Sequence, residues 1–511
     1  MLDEENKMKK ILMIILDGFG IREEEKGNAV KLANMEFLKS LWDNYPHALL
    51  KASEHYVGLP DGQFGNSEVC HQVIGLGHVV KQKITIVNEE IENKTILDNV
   101  NFQDMINHVN MYDSTLHLMG LTSDGGVHSH IDYMKKIIKL LKEQNIKKVV
   151  FHAITDGRDT FRTSSVKYLD EINNLLKEEE IGFIGTIAGR YYAMDRDNKW
   201  ERTKVYVDLI TEGRGYKVND YANAINTCYK KDVTDEFLPP LILNENALLK
   251  ENDALLWLNF RPDRARQILN SLTHPKFYDF RVNRPDNFKV FSLFKQDDVP
   301  NVKSLFEYKL DNLYPIGKYF SDLKLTQARI AETEKYSHVT YFFNSLLAKE
   351  FEGQDNYLVA SPKVSTYDKT PLMSAREVTN KVKEAIEKDY DFILVNYANP
   401  DMLGHTGNLE ATIESLKGLD KLLEDVMSAA EDNFYKVFIL SDHGNCDEML
   451  SPKGEVITTH SLAEVPFIIT DKNVILKSTG DLTMVAPTLL KYMDIAIPKE
   501  MENTKDLFME E

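Results

Sequence analysis

The amino-acid sequence predicts an α/β protein made of two domains, each built on a mainly parallel sheet. At 511 residues the chain is too long for one compact core, so two domains are expected. Short runs of Ile, Leu, Val and Phe alternate with longer amphipathic segments, which is typical of such folds. Paired Asp and His residues occupy the two ends of the chain, and most Arg residues lie in its middle. We therefore expect a discontinuous domain at 1–80 and 315–511, interrupted by an inserted α/β domain at 81–314.

The outer domain shows the clearest strands and helices. Its apolar runs at 10–16, 391–395 and 436–440 are typical of strands that are buried on both faces of a parallel sheet. Segments 374–388 and 408–429 have helical spacing with one apolar and one polar side. The run at 10–16 is too short for a membrane span and lacks a cleavage site after it, so we interpret it as a buried strand.

The composition narrows the range of partners. A net charge of −19 makes nucleic acid and anionic membranes unfavourable partners. The three cysteines, Cys70, Cys228 and Cys446, are widely spaced, which indicates a reducing compartment. No apolar stretch approaches the roughly 20 residues of a membrane-spanning helix. We expect a cytoplasmic protein, in which an anionic substrate would need a local pocket of cations.

Acidic and imidazole side chains follow three of the predicted strands. Asp17, Asp401 and Asp442 come at or just beyond the strand ends. Because the carboxyl ends of parallel strands share one edge of a sheet, we expect these carboxylates to lie together. Divalent cations would relieve their repulsion, and the many oxygen ligands favour Mn²⁺ over Zn²⁺. The candidate imidazole ligands are His405, His443 and His460.

A glycine-punctuated turn at 62–66 leads into a predicted helix near Ser67. The N–H groups of a helix N-terminus favour an anion, and a metal ion can activate the Ser hydroxyl as a nucleophile. The alternative role for this Ser is a plain N-cap. Cys70 beside His71 is a weaker candidate nucleophile, because adjacent residues usually point apart and a buried Cys is usually inert.

The inner domain concentrates the arginines, since 11 of the 14 in the chain fall between residues 158 and 284. Four apolar runs there each lead into a polar loop, at 115–121, 148–154, 181–187 and 254–258. Loops on one sheet edge would gather Arg side chains around a pocket for phosphate and carboxylate groups, with Asp156 or Asp159 as acid or base. The predicted pocket residues are Arg158, Arg190, Arg196, Arg261 and Arg264.

Eight short motifs run through the chain in a fixed order. They are Ile-Leu-Asp-Gly-Phe-Gly at 15–20, Gly-Asn-Ser-Glu at 65–68, Ser-Asp-Gly-Gly-Val-His-Ser-His at 123–130, Asp-Gly-Arg-Asp-Thr at 156–160, Gly-Arg-Tyr-Tyr-Ala-Met-Asp-Arg-Asp at 189–197, Asn-Phe-Arg-Pro-Asp-Arg-Ala-Arg-Gln at 259–267, Ala-Glu-Thr-Glu-Lys-Tyr at 331–336 and Ser-Asp-His-Gly-Asn at 441–445. In this order they resemble the cofactor-independent phosphoglycerate mutases of the alkaline-phosphatase superfamily. The resemblance covers nearly the whole chain and implies an alkaline-phosphatase-like domain with a second domain inserted.

This resemblance implies interconversion of 3-phosphoglycerate and 2-phosphoglycerate in glycolysis and gluconeogenesis, without 2,3-bisphosphoglycerate. Ser67 would take the phosphoryl group from the substrate and return it to the other hydroxyl, with Asp159 as general acid and base. Two Mn²⁺-like ions are implied, and their ligands would be Asp401, His405 and His460 for one and Asp17, Ser67, Asp442 and His443 for the other.

The resemblance also implies the substrate contacts and a monomeric enzyme whose two domains hinge to exclude water. The residues that would hold the glycerate are His128, Arg158, Asp159, Arg190 and Arg196. The residues that would steady the moving phosphoryl group are Arg261, Arg264 and Lys335. The chain departs from the family pattern at Cys70, where Gly is usual, and at His78 and Lys81, where Arg and Tyr are usual.

Two other interpretations stay open at this point. A metal-dependent hydrolase or another mutase of the superfamily, such as a phosphopentomutase, would need the same metal residues. The Arg-rich inner domain argues against a simple phosphatase, which does not need to retain its dephosphorylated product. A degenerate relative that only binds metal or a partner is disfavoured by the complete set of ligands and Arg residues.

Overall fold

The computed structural model describes residues 9–296, 298–308, 313–347, 350–502 and 504–509. The chain divides into two compact units. The first, here called the outer unit, combines Met1–Gln82 with Leu310–Glu511. The second, called the inner unit, is Lys83–Lys309. Each unit contains its own eight-stranded sheet.

The strands of the two sheets are short, as is usual for globular α/β domains. In chain order they are β1 Ile11–Leu16, β2 His47–Lys51, β3 Leu116–Leu121, β4 Val149–Thr155, β5 Gly182–Gly189, β6 Tyr216–Lys217, β7 Leu241–Ile242, β8 Ala254–Trp257, β9 Lys289–Phe294, β10 Val302–Phe306, β11 Gln327–Glu332, β12 Gln354–Val359, β13 Phe392–Tyr397, β14 Lys436–Leu440, β15 Val465–Ile469 and β16 Thr479–Asp481.

The helices connect the strands and cover both faces of the sheets. They are α1 Ala29–Ala33, α2 Glu36–Asn44, α3 Ser67–Leu76, α4 Lys83–Glu92, α5 Val100–Tyr112, α6 Ile131–Glu143, α7 Ser165–Glu178, α8 Arg190–Ala193, α9 Trp200–Glu212, α10 Tyr221–Tyr229, α11 Arg266–Thr273, α12 Ile316–Asp322, α13 Thr333–Ser337, α14 Ala375–Glu387, α15 Asn399–Gly404, α16 Leu409–Asp432 and α17 Val485–Tyr492. A π-helical turn, His338–Phe342, continues directly from α13.

The outer sheet has the order β12-β11-β13-β1-β14-β15-β2-β16. The first five strands in this order, β12, β11, β13, β1 and β14, pair in parallel. Strand β15 runs antiparallel to both of its neighbours, β14 and β2. Strand β1 is completely buried, because Ile11, Met13 and Ile15 enter one apolar cluster and the alternate residues enter another. This two-sided burial explains its continuous apolar sequence and confirms the predicted strand.

The inner sheet has the order β10-β9-β8-β3-β4-β5-β7-β6. Strands β8, β3, β4 and β5 are parallel neighbours. The loops that follow these four strands therefore leave the same edge of the sheet, as the sequence predicts for the Arg-bearing loops. The α/β class with mainly parallel sheets is confirmed in both units.

Helix α3 carries Ser67 as its first residue. The cap is Asn66, whose side chain accepts a hydrogen bond from the Val69 amide at 3.1 Å. Ser67 is therefore free of the N-cap role that was its alternative interpretation. The helix packs tightly on the π-helical segment, because a Cβ atom added at Gly75 would lie 2.1 Å from the Phe343 carbonyl oxygen. This contact fixes the position of the helix that presents Ser67.

Candidate active site and metal centre

Three buried carboxylates of the outer unit lie at one end of its sheet. Asp17 follows β1, Asp442 follows β14, and Asp401 lies in α15 just beyond β13. Burial, followed by the charge of Asp442, raises the pKa of Asp17 to about 6. Such a shift indicates that negative charges are crowded here. The sequence-based expectation that these strand ends would gather acidic groups therefore agrees with the geometry.

The ammonium group of Lys335 lies among these carboxylates. Its Nζ atom is 2.6 Å from Oδ1 of Asp17 and 2.6 Å from Oδ2 of Asp401. Burial alone would lower the pKa of Lys335, but the adjacent carboxylates raise it well above its usual range. These carboxylates therefore favour the charged form of Lys335. Helix α13, which begins directly after β11, presents it.

The hydroxyl of Ser67 points into the same cluster. Its Oγ atom is 2.7 Å from Lys335 Nζ, 2.9 Å from His443 Nε2 and 3.1 Å from Asp17 Oδ1. The residue is 5% exposed, so the hydroxyl is nearly removed from bulk solvent. A nucleophile held by a cation and a carboxylate in a buried site is well placed for covalent phosphoryl transfer.

One group of ligand atoms is formed by Asp401, His405 and His460. The Nδ1 atoms of the two imidazoles lie 2.7 Å from the carbonyl oxygens of Thr458 and Gly65. Because a carbonyl oxygen only accepts, each Nδ1 carries a proton, so each ring in its neutral form presents the Nε2 lone pair. The two Nε2 atoms are 3.2 Å apart, and both lie within 3.3 Å of Asp401 Oδ1. Facing acceptors of this kind fit a divalent cation.

A second group surrounds Ser67. The Nε2 atom of His443 lies 3.6 Å from Oδ1 of Asp17 and 3.5 Å from Oδ2 of Asp442. That Asp442 oxygen is buried, and Nδ1 of His71 also lies 3.2 Å from it. A buried carboxylate oxygen next to an imidazole nitrogen and a hydroxyl fits a cation site. The donor sets of the outer unit thus suit divalent metal binding.

In the inner unit, Arg190 joins two carboxylates of the loop after β4. Its Nη1 atom is 2.7 Å from Asp156 Oδ1 and 2.5 Å from Asp159 Oδ2. Asp156 is buried and also accepts hydrogen bonds from the Ser123 hydroxyl and from two backbone amides of its own loop. Burial would raise the pKa of Asp156, but Arg190 and these donors lower it overall. Asp159 is more accessible, with 16% of its side chain exposed.

His128 and three further arginines belong to the same sheet edge. Burial, reinforced by the charges of Arg190 and Arg261, lowers the pKa of His128 to about 3, so its imidazole is neutral. Arg196 donates to Asp263 at 2.8 Å, and Arg264 donates to the Met194 carbonyl at 3.0 Å. Burial, together with the charges of Arg190 and Arg196, lowers the pKa of Arg264. This mutual repulsion of cations is typical of a site that receives an anion.

Arg158 is the predicted pocket residue that turns furthest outward. Its side chain is 56% exposed, and its Nη1 atom lies 3.5 Å from Glu236. The remaining inner residues that the sequence assigns to the substrate follow β3, β5 and β8 on the same edge as Arg190.

Comparisons with known proteins identify the family to which this chain belongs. Residues 87–298 match the family described as BPG-independent PGAM N-terminus, and residues 321–479 match the type I phosphodiesterase / nucleotide pyrophosphatase family. The 2,3-bisphosphoglycerate-independent phosphoglycerate mutase of Clostridium tetani is 43% identical over 506 residues, covering 96% of this chain and 98% of that protein. The protein of the same name from Gracilaria tenuistipitata var. liui is 41% identical over 500 residues, covering 97% of each chain.

The chain belongs to the 2,3-bisphosphoglycerate-independent phosphoglycerate mutase family. A solved structure of the Leishmania mexicana phosphoglycerate mutase, titled as determined at low cobalt concentration, has a TM-score of 0.78 and 28% identity, and the match covers 99% of both chains. The predicted family, enzyme class and fold class, an alkaline-phosphatase-like domain with an inserted domain, are therefore confirmed. Within the described residues, no helix has the length and apolar character needed to span a membrane.

Cys70, where this chain departs from the family pattern, is enclosed by the protein. The Cys70 side chain is fully buried, and its Sγ atom lies 3.6 Å from the Ala52 carbonyl oxygen. Burial, followed by the charge of Asp442, raises the pKa of this thiol well above its usual range. A protonated, enclosed thiol is inert, so the structure argues against Cys70 as a nucleophile.

Several polar residues around the carboxylates escaped the sequence-based assignment of site residues. Asn396 donates to Asp17 at 2.7 Å, and Asn445 donates to Asp401 at 2.7 Å. His71 stands 3.2 Å from Asp442. The position of His71, four residues after Ser67 on a predicted helix, is a signal that the sequence did contain, since residues four apart share one helix face.

Proposed function

We propose that this chain interconverts 3-phosphoglycerate and 2-phosphoglycerate through a phosphoserine intermediate at Ser67. The observation that carries the proposal is the buried Ser67 hydroxyl, held by Lys335 at 2.7 Å and Asp17 at 3.1 Å. In the first half-reaction, a bond forms between Ser67 Oγ and phosphorus as the phosphorus bond to the substrate oxygen breaks. The hydroxyl of Ser67 donates a hydrogen bond to Asp17 Oδ1, and its proton leaves for solvent before Oγ attacks.

The second half-reaction reverses these bonds with the other hydroxyl of the same glycerate. Asp159 gives a proton to the first substrate oxygen as it leaves and takes the proton of the second hydroxyl as it attacks. Arg190 lies 2.5 Å from Asp159, and the partial exposure of the Asp159 side chain leaves it accessible to a substrate hydroxyl. Ser67 Oγ takes a proton back from solvent after its bond to phosphorus breaks.

The proposed metal ligands are the two groups of the outer unit. One ion would be held by Asp401, His405 and His460, and the other by Asp17, Ser67, Asp442 and His443. When bound, two divalent cations supply positive charge that lowers the pKa of the Ser hydroxyl and neutralises the phosphoryl oxygens. The mixture of carboxylate and imidazole donors favours Mn²⁺.

The proposed glycerate site is in the inner unit. A neutral His128 can donate a hydrogen bond without adding charge, and the arginines pair with carboxylate or phosphate oxygens. The residues that we assign to the glycerate are His128, Arg158, Asp159, Arg190 and Arg196, and those assigned to the phosphoryl group are Arg261, Arg264 and Lys335. We further propose that the enzyme works in the cytoplasm as a monomer, with no nucleic acid or membrane as partner.

The test is an assay of the purified chain with 3-phosphoglycerate and Mn²⁺. We expect 2-phosphoglycerate to form without release of free phosphate. Quenching during turnover should yield phosphoserine at Ser67, detected by mass spectrometry of the tryptic peptide. Free phosphate without 2-phosphoglycerate would establish a phosphatase instead, and unchanged turnover in Ser67→Ala would exclude the covalent intermediate.

A further inference from the structure

His71 lies beside the nucleophile but has no role in the proposed reaction. It is fully buried on α3, one turn after Ser67. Together with Asp17 and Asp442 it forms a group whose potential ligand atoms lie within 4.8 Å of one another. By proximity alone, His71 is therefore a candidate metal ligand.

The hydrogen bonds of Asn396 determine the state of one His71 nitrogen. The Nδ2 atom of Asn396 lies 2.7 Å from Asp17 Oδ2 and 3.1 Å from His71 Nε2. A carboxylate oxygen only accepts hydrogen bonds, so the amide nitrogen, and not the amide oxygen, faces Asp17. The same nitrogen donates its second hydrogen to His71. The Nε2 atom of His71 therefore carries a lone pair that is already engaged.

The other ring nitrogen faces two acceptors. Nδ1 of His71 lies 2.9 Å from the carbonyl oxygen of Ser67 and 3.2 Å from Oδ2 of Asp442. Both oxygens repel a lone pair and attract a proton, so Nδ1 carries the proton of the ring. Each nitrogen of His71 is thus committed to a protein atom, and neither has a lone pair to offer a cation.

We propose that His71 and Asn396 are positioning residues that tie Asp17, Asp442 and the backbone of Ser67 into one arrangement, and that His71 is not a metal ligand. The proposal rests on the proposed function, because it concerns the geometry of the same Ser67. Asn396 holds Oδ2 of Asp17, which leaves Oδ1 directed at the Ser67 hydroxyl. His71 holds the first turn of α3 at the Ser67 carbonyl. The hydroxyl and its carboxylate partner are therefore positioned through one hydrogen-bonded chain.

The decisive experiment is a double-mutant cycle read out by metal binding to metal-free protein. Isothermal titration with Mn²⁺, together with elemental analysis, gives the affinity and the number of bound ions for wild type, His71→Phe, Asn396→Leu and the double variant. We expect the wild-type number of ions in every variant and a loss of affinity of roughly 10- to 100-fold in each single variant. The double variant should bind Mn²⁺ at most a few-fold more weakly than the weaker of the two single variants. Both substitutions break the same hydrogen-bonded chain, so their effects should not multiply.

Two results would overturn the proposal. If His71→Phe binds fewer ions than Asn396→Leu does, His71 is a ligand. If the two losses of affinity multiply in the double variant, the residues act independently and no chain connects them. Wild-type protein that binds Mn²⁺ but makes no 2-phosphoglycerate would refute the proposed function, whereas the cycle would still report on His71.

A second pair of variants protects the test against misfolding. His71→Asn places an amide N–H near the position of Nδ1, so it should recover at least tenfold in kcat over His71→Phe, with little change in KM. Gln72→Met is the matched control, because Gln72 is the next residue on α3, is also buried, and makes no hydrogen bond through Nε2 within the described residues. It should keep the wild-type Mn²⁺ affinity and kcat. A His71→Asn variant no better than His71→Phe would contradict the role assigned to Nδ1.

Discussion

The Nζ atom of Lys335 lies 2.7 Å from the Oγ atom of Ser67 in the outer unit. The same ammonium group contacts Asp17, from one proposed metal group, and Asp401, from the other, at 2.6 Å each. One protein cation therefore touches the nucleophile and both groups of carboxylates. Its position suits stabilisation of the charge on a phosphoryl group during transfer to Ser67.

Replacing Lys335 should lower both the turnover rate and the stability of the protein, and the two losses can be measured separately. Lys335→Met should lower kcat by about 100-fold or more, because removing one preorganised charge from a reaction centre typically costs 10²–10³. It should also destabilise the metal-free protein by roughly 3–5 kcal/mol, since it leaves buried carboxylates without their partner. The measurements are steady-state kinetics and urea unfolding with a chelator present.

Mn²⁺ should recover much of the lost stability of Lys335→Met but little of its kcat. Divalent cations can compensate the carboxylates, but they do not replace the ammonium group beside Ser67. A variant with nearly wild-type kcat would show that Lys335 has a structural role alone. Lys318→Met, at an exposed pair with Asp322 on α12, is the control and should change neither quantity.

Asp159 and Asp156 both pair with Arg190 in the inner unit, but their substitution should have different kinetic effects. Asp159→Asn is expected to lower kcat by about 10²–10⁴, the usual contribution of a general acid and base, with a smaller effect on KM. Asp156→Asn should mainly raise KM, because Asp156 orients Arg190 and the backbone of its own loop. The kcat and KM of both variants with 3-phosphoglycerate distinguish the roles. A dominant loss of kcat in Asp156→Asn alone would reverse the assignment.

The strand positions and the identities of the acidic ligands could be predicted because both depend on local pattern. A continuous apolar run such as the one in β1 signals a strand that is buried on both faces, and carboxylates that end parallel strands meet at one edge. The Arg-bearing loops were predictable for the same reason, since β8, β3, β4 and β5 are parallel neighbours.

The polar residues behind the ligands could not be predicted in the same way. Asn396 lies inside β13, and its partners His71 and Asp17 are 325 and 379 residues away in sequence. Such contacts depend on the register between strands, which a single sequence does not specify. The proton positions on His405 and His460 likewise follow from carbonyl oxygens of distant segments, and these oxygens carry no residue-specific signal.

Mn²⁺ binding to the group of Asp401, His405 and His460 should stabilise the folded protein. At a Mn²⁺ concentration of about 100 times Kd, a ligand that binds only the folded state adds about 2.7 kcal/mol, so the melting temperature of wild type should rise. His460→Ala removes one of three facing donors and should weaken this rise at the same concentration. His55→Ala removes an imidazole that is 64% exposed and pairs with Asp61, and it should leave the rise intact. An equal loss in both variants would contradict the proposed ligand role of His460.

Glu332 should make stability depend on pH through a site away from the proposed ligands. It ends β11 and is 1% exposed, its Oε2 atom accepts a hydrogen bond from Ser361 at 2.8 Å, and its Oε1 atom has no hydrogen-bond partner in the described part of the chain. Burial raises the pKa of this carboxyl from 4.5 to about 7. Between these two values the folded protein holds a proton that the unfolded chain has released.

The stabilisation that this proton gives is complete below pH 4.5 and is lost as the pH rises through about 7. For a shift of this size the loss is about 3 kcal/mol. Glu332→Gln cannot titrate, so its free energy of unfolding relative to wild type should increase by up to that amount between about pH 4 and pH 8. Urea unfolding at a series of pH values, with chelator in every sample, measures the difference. A constant difference across the series would show that Glu332 keeps the same protonation state in the folded and unfolded chains, which its burial argues against.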